Sequence, residues 1–399
     1  MRRSAPGGLA TLRGVRVTVL SWEYPPVVVG GLGRHVDALT TALAADGTEV
    51  EVVTRAGEGL AERETRGKVE VVRGSDDALG IPFAVESLLA WAAAADHALV
   101  RAALPRVTSA PPDVVHAHDW LVAQSAVTLA GLTGAALVTT VHATEWGRHR
   151  GLLTTPLRRA VDSVERWLVQ RSDRIIVCSR AMRDEVVGHL GADPERVDVV
   201  TGGVDVDRWH GRRPGAGGRP PVVLFAGRVE WEKGLQTVLD ALPGLRRQHP
   251  GLTLRVAGTG SHVEQLRAQA RRLRVARAVH WLGRLEDDAL AHEYRHADVV
   301  VVPSLYEPFG LVALEAAAAG TPRVVSAVGG LADLVGDGAT GRVVPPADVP
   351  ALAEAVDALL RDPDTARTLA ARARREVRRR HGWDAVAAST REVYERALR

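Results

Sequence analysis

Four groups of residues in this chain have the types and spacing to do chemistry. The first is Glu307-Pro308-Phe309-Gly310-Leu311-Val312-Ala313-Leu314-Glu315, with glutamates eight positions apart. The apolar run Val299 to Val302 leads through Pro303 and Ser304 into a loop, and Gly310 is expected to open a helix reaching about Ala319. Glu307 then sits on the loop and Glu315 inside the helix. The backbone N–H groups from Phe309 to Val312, Gly310 and Leu311 among them, form a helix N-terminus, which favours a phosphate. A loop carboxylate can hold sugar hydroxyls, and one a turn or two into the helix can reach a ribose diol. The plainer reading is one surface glutamate and one capping glutamate.

The second group is Gly227-Arg228 with Lys233-Gly234, separated by Val229, Glu230, Trp231 and Glu232. Two cations five apart on a short loop after a strand suit a diphosphate, and fixed cations stabilise the charge that develops when such a group leaves. Two solvated loop cations are the alternative. The third is Gly30-Gly31-Leu32-Gly33, between a strand and a helix. Glycine lets backbone approach a ligand closely, although a plain tight turn accounts for it as well. It is neither a G-x-G-x-x-G fingerprint nor a Walker loop, and Gly258-Thr259-Gly260 is also too short for a dinucleotide site.

The fourth group is His116-Ala117-His118-Asp119-Trp120 together with Thr140-Val141-His142-Ala143-Thr144-Glu145-Trp146, each at the end of a strand. His116, His118 and Asp119 have metal-ligand types, but successive strand residues point to opposite faces, so no metal is expected on them. Trp22, Tyr24, Trp120 and Trp146 all follow strands, where aromatic faces suit sugar-ring stacking or ordinary core packing.

The elements that must position these groups alternate along the whole chain. Val15 to Leu20, Glu49 to Val53, Val114 to Ala117, Leu137 to Val141 and Ile175 to Cys178 read as strands of one series, with Val36, Leu39 and Leu43 on one helix face. Arg208 to Pro221, with three prolines and four glycines, reads as a linker. A second series follows at Val222 to Ala226, Leu254 to Ala257, Val279 to Leu282, Val299 to Val302 and Arg323 to Ser326. The expectation is α/β with two tandem doubly wound parallel sheets: residues 14–207, a linker at 208–221, a second domain at 222–380, and a helix at 381–399 packing back on the first. Ligands bind beyond the carboxyl ends of such strands, which predicts a central cleft faced by both domains.

Bulk properties narrow the classes. Net charge is +3 and hydrophobic residues make up 46%, so a sizeable core is expected. No apolar run approaches a membrane span, and Met1 to Gly14 lacks the apolar stretch of a signal peptide, which predicts a short disordered lead-in and a cytoplasmic protein. Cys178 lies in an apolar run and reads as a small core residue. The arginine run from Arg372 to Arg380 has no interleaved aromatic residue and reads as a solvated helix face, so no nucleic-acid partner is expected. Pro82 to Pro105 reads as an Ala-rich helix without the basic face of a membrane-surface helix.

The glutamate pair, the Arg–Lys pair and the order of all motifs resemble the family 4 retaining glycosyltransferases, from Ser21-Trp22-Glu23-Tyr24-Pro25-Pro26 to the last helix. Within that family, Val28 to Val36, Val114 to Val122, Thr140 to Gly151 and Pro303 to Thr321 look most like bacterial glycogen synthases and actinobacterial α-1,4-glucosyltransferases of glycogen and methylglucose lipopolysaccharide. The resemblance implies a GT-B fold of two Rossmann-like domains and transfer with retention. It implies no bound metal and no cofactor beyond the co-substrate, ADP-glucose or UDP-glucose. Arg228 and Lys233 would hold the donor diphosphate, and Glu307, with the Phe309 and Gly310 backbone, the transferred sugar. Glu315 would hold the ribose, His142 would lie beside the reacting carbon, and Gly30 and Gly31 would approach the diphosphate from the other domain. Asp119 would face the acceptor, with Trp120, Tyr24 and Trp146 as stacking partners. Two departures stand out: Val28 where relatives often carry Lys, and Gly202 where many carry Asn.

The expected reaction is glucosyl transfer to the non-reducing end of an α-1,4-glucan. Other readings stay open: transfer to a lipid, inositol phosphate or small sugar, a nucleotide-sugar epimerase, and a glycan-binding protein without catalysis.

Overall fold

Most of the fourteen strands in a computed structural model that describes residues 14–75, 80–211 and 218–399 form from runs of valine, leucine and isoleucine too short for helices. The strands are β1 Arg16–Leu20, β2 Glu49–Arg55, β3 Arg63–Arg66, β4 Val69–Gly74, β5 Val114–His118, β6 Ala136–Val141, β7 Arg174–Val177, β8 Val197–Val199, β9 Val222–Ala226, β10 Thr253–Ala257, β11 Val279–Gly283, β12 Val299–Val302, β13 Arg323–Ser326 and β14 Arg342–Val344. The chain divides into two units, residues up to Gly203 with Trp383–Arg399, and Val204–Gly382.

The first unit holds an eight-stranded sheet in the order β3-β4-β2-β1-β5-β6-β7-β8. Every pairing is parallel except β3 on β4. β3 has no apolar signal in the sequence, because Arg63-Glu64-Thr65-Arg66 carries no apolar residue. Its charged side chains suit a sheet edge, where unpaired backbone must be kept from recruiting other strands. Helix Gly31–Ala45 buries Val36, Leu39 and Leu43 on one face. The last helix, Trp383–Ala397, adds Val386, Val393 and Tyr394 to the same core. Helix Leu88–Ser109 starts later than the Pro82 expectation and keeps Pro105 inside it. Its Leu99, Ala103 and Val107 pack under the sheet beside Leu20 and Val115, so that apolar face is spent on the core.

The second unit holds a six-stranded, all-parallel sheet in the order β11-β10-β9-β12-β13-β14. Its core joins Val223, Phe225, Val256, Val299, Val301 and Val324 to helix residues such as Leu239, Leu242, Leu352 and Val356. β14 and, in the first unit, β8 are three-residue strands that apolar patterning did not reveal. Of the stretch read as a linker, residues 212–217 lie outside the described residues, as do residues 1–13 of the expected lead-in. The described flanks belong to the second unit: Arg208 pairs with Asp287 and Arg219 with Asp298. Cys178 is buried. Among the described residues, no helix is long and apolar enough to cross a membrane.

Candidate active site

In the second unit, β9 and β12 lie side by side where the strand order reverses, with Val223 opposite Val299 and Leu224 opposite Val300. Loops leaving the carboxyl ends of such a pair form the usual ligand crevice of an open α/β sheet. The loop after β9 runs through Gly227 and Arg228 to a 3-10 turn, Trp231–Lys233, that ends on Gly234 at φ 73°. A Cβ on Gly234 would stand 1.9 Å from the carbonyl oxygen of Pro303, so only glycine lets the two loops touch. The carbonyl of Glu232 then accepts from the N–H groups of Leu305 (2.7 Å) and Tyr306 (3.3 Å).

That docking brings Lys233 Nζ to 2.9 Å from Glu307 Oε2, which also accepts from Ser304 Oγ at 3.2 Å. Both partners of the ion pair are largely buried. Arg228 is different: its side chain is 62% exposed and its Nη2 donates to Glu232 Oε1 at 3.1 Å. The two expected cations thus share the loop but pair with different glutamates. From below, the glutamate loop is held by Gly330 N–H donating to the Glu307 carbonyl at 3.0 Å. Gly258 and Gly260 serve packing, since Cβ atoms there would strike the carbonyls of Gly227 and Val229.

Gly310, at φ 108°, precedes helix Leu311–Ala319, and no side chain caps that helix. Unfilled N–H groups at a helix start, with the helix dipole behind them, favour an anion. Phe309 is buried and Leu311 half-buried. Glu315, one turn in and half-buried, accepts from the hydroxyl of fully buried Tyr294 at 2.7 Å. Arg323, 2% exposed, donates to the carbonyls of Ala313 (2.6 Å) and Leu334 (3.3 Å), tying this helix to helix Gly329–Leu334. Burial lowers its pKa to about 10.

In the first unit the reversal falls between β1 and β5. The loop after β1 carries Glu23, 2% exposed, whose carboxylate accepts from the N–H groups of Val29 (2.5 Å), Gly30 (3.0 Å) and Gly33 (3.1 Å). The Gly30 N–H is thus given to a carboxylate of the same chain. Gly31 is the exposed backbone at this helix start. The expectation for Tyr24 is corrected, because at 1% exposure in the core its ring has no face for a sugar.

β5 delivers His116 and His118, and β6 is followed by His142. His116 is spent on structure: Nδ1 lies 2.8 Å from the Tyr394 hydroxyl and Nε2 2.7 Å from Thr140 Oγ1. His118 Nδ1 lies 2.9 Å from His142 Nε2. Burial pushes His116 down to about 3 and His142 to about 4, and holds His118 and His35 well below 6.5; neighbouring imidazoles add to the shifts of His116, His118 and His35, and Arg148 to that of His142. All four are neutral at pH 7. Asp119 has φ 62°, an uncommon conformation for a residue with a side chain. Its Oδ1 accepts from the His142 N–H at 2.7 Å, and burial raises its pKa to about 6. It is therefore placed to orient His142. Trp120 is half-buried beside Trp91 and Leu121, and Trp146 stacks on His189 at 4.9 Å.

Sequence reasoning missed Glu23, His35, Ser304, Tyr294, Arg323 and the Gly329-Gly330 pair. Gly329-Gly330 behind an apolar strand was the one visible signal.

Two family descriptions match the chain: "Glycosyltransferase Family 4" over residues 29–208 and "Glycosyl transferases group 1" over residues 210–376. A glycogen synthase from Mycobacterium tuberculosis is 45% identical, covering 96% of this chain and 95% of its own. A D-inositol 3-phosphate glycosyltransferase from Streptomyces coelicolor is 34% identical, covering 96% and 92%. Among solved structures, a sucrose-phosphate synthase from Thermosynechococcus elongatus superimposes with a TM-score of 0.81 at 26% identity, covering 96% of this chain and 98% of its own.

Proposed function

The chain belongs to glycosyltransferase family 4 and has the GT-B fold, and from that premise we propose that it is a cytoplasmic retaining α-1,4-glucosyltransferase extending a glucan from ADP-glucose or UDP-glucose. The observation that carries this reading is the Lys233–Glu307 contact beside the uncapped start of helix Leu311–Ala319. One cation, one carboxylate and one uncapped helix end stand within two neighbouring loops.

In this reading the diphosphate lies on Arg228, Lys233 and the N–H groups from Phe309 to Leu311. As the glycosidic bond breaks, negative charge grows on the leaving oxygen, and these preorganised positive groups stabilise it. Glu307 and His142 hold hydroxyls of the transferred glucose, and Glu315 holds the ribose diol. His142 is neutral, so it offers a hydrogen bond without placing a positive charge beside a carbon that is becoming cationic. With retention, the acceptor hydroxyl attacks on the face the diphosphate leaves, and a diphosphate oxygen takes its proton. Asp119 acts through His142. Gly31, Trp120 and Trp146 remain as first-unit contacts for donor and acceptor.

The glycogen synthase likeness at 45% favours a glucan acceptor over inositol phosphate, whose transferase is 34% identical. The test incubates the full chain with each donor and either maltooligosaccharides or inositol 3-phosphate, reading released nucleoside diphosphate and product length. Chain lengthening with one glucose donor is expected. Turnover only with inositol phosphate would replace the glucan reading.

A further inference from the structure

Three imidazoles that the reaction does not use in the same way meet in the first unit. His35 comes from helix Gly31–Ala45, His118 ends β5, and His142 follows β6. Each offers one ring nitrogen, and the three nitrogens lie within 4.8 Å of one another. Among the described residues this is the one group of three or more His, Cys, Asp or Glu side chains so gathered. The His35 ring stands 4.8 Å from that of His142 and 5.8 Å from that of His118, centre to centre.

The hydrogen bonding inside the group is incomplete. Between His118 Nδ1 and His142 Nε2, 2.9 Å apart, there is room for one proton, so one nitrogen presents its lone pair to the other. His118 Nδ1 is the nitrogen turned toward His142, while its Nε2, across the ring, is buried without a hydrogen-bond partner. His116, the remaining imidazole of the cluster, has both nitrogens engaged and cannot serve as a ligand.

We propose that His35, His118 and His142 form a binding site for a late first-row divalent cation, Zn2+ in the first instance, and that occupancy inhibits the enzyme by taking His142 away from the sugar. Three neutral nitrogens with no carboxylate among them favour Zn2+, Cu2+ or Ni2+ over Mg2+ and Ca2+. Three protein ligands leave a fourth tetrahedral position for water. Metal–nitrogen bonds of about 2.0–2.1 Å put tetrahedral ligand nitrogens about 3.4 Å apart. The His118–His142 pair therefore opens by roughly half an ångström while His35 swings in. His35 and His142 are half-buried, which allows such movement, and His118 is the fixed ligand. The Asp119 carboxylate on the His142 backbone keeps that ring's loop in place.

The inhibitory half rests on the role proposed above for His142; the binding half does not. The test uses the full, tag-free chain. Equilibrium dialysis measures bound Zn2+, the visible spectrum of added Co2+ reports coordination, and donor turnover is followed in parallel. The expectation is one tight equivalent of Zn2+ with a tetrahedral Co2+ spectrum, affinity weakened at least about thirtyfold in His35→Ala, and no change in a His292→Ala, His296→Ala double variant. His35→Ala is chosen because half-buried His35 leaves the sheet intact, and its melting curve is compared with wild type. No stoichiometric Zn2+, or Zn2+ bound equally by His35→Ala, overturns the site. Binding that depends on His35 but leaves turnover unchanged overturns the inhibition, and with it the assignment of His142 to the sugar.

Discussion

Lys233 Nζ and Glu307 Oε2 lie 2.9 Å apart although 74 residues separate them in the chain. The contact exists because β9 and β12 are neighbours and because Gly234 lets one loop rest on the other. It turns two loops into one charged surface.

Replacing Lys233 with alanine leaves Glu307 without its ion-pair partner and, in the reading proposed above, removes a cation that stabilises the leaving diphosphate. Turnover should fall by about two orders of magnitude. Arg228→Ala should lose turnover similarly while leaving the melting temperature unchanged, because that side chain is 62% exposed. Steady-state release of nucleoside diphosphate and a thermal melt check both. Unchanged turnover in both variants would remove the diphosphate from this loop.

Glu315 and Tyr294 form a second pair, at 2.7 Å. If Glu315 holds the ribose as proposed, Glu315→Gln should raise the donor KM about tenfold with little loss of kcat, since such a contact is made equally in ground and transition states. Tyr294→Phe removes one hydrogen bond to the carboxylate and should give a smaller rise of about threefold. A pure kcat effect in Glu315→Gln would argue against a ribose role.

Gly234→Ala places a methyl group against the Pro303 carbonyl at a residue with φ 73°. Both the clash and the conformation oppose it, so the variant should lose about 2 kcal/mol or more of stability and most of its turnover. Denaturant unfolding and the donor assay measure the two losses. Gly244→Ala, inside helix Leu235–Gln248, serves as the tolerated control.

Glu165 accepts from the Glu145 N–H with both oxygens at 3.0 Å, and burial, with Asp119 adding to it, raises its pKa from 4.5 to about 8. The folded protein holds a proton there that the unfolded chain releases. Its contribution is fully present below pH 4.5 and lost as pH rises through 8. Glu165→Gln carries no such loss. The melting temperatures of wild type and variant should agree near pH 4.5, and the variant should be higher by on the order of 5 °C at pH 8.5. A gap that stays constant with pH would mean that Glu165 is ionised in the fold.

Much of the architecture was legible because parallel strands buried on both faces read as continuous apolar runs, and β5, β6, β9 and β12 fall where such runs stand. β3 was not, because a charged edge strand carries no apolar signal. Glu307 and Glu315 stood out through their strand–loop–helix setting. Their supports did not: Tyr294 looks like any core aromatic, and Arg323 opens what reads as an ordinary buried strand. Tyr24 shows the converse, a residue after a strand whose ring the core had already claimed. His35 escaped notice because a lone histidine one turn into a helix acquires meaning only when β5 and β6 bring two more beside it.

Glu23 settles how the first unit meets charge. With its carboxylate already seated among the N–H groups of Val29, Gly30 and Gly33, the opening of helix Gly31–Ala45 is electrically satisfied. A phosphate approaching there would face an anion rather than a bare dipole. In the reading proposed above, the charged end of the donor therefore rests mainly on the uncapped helix of the second unit.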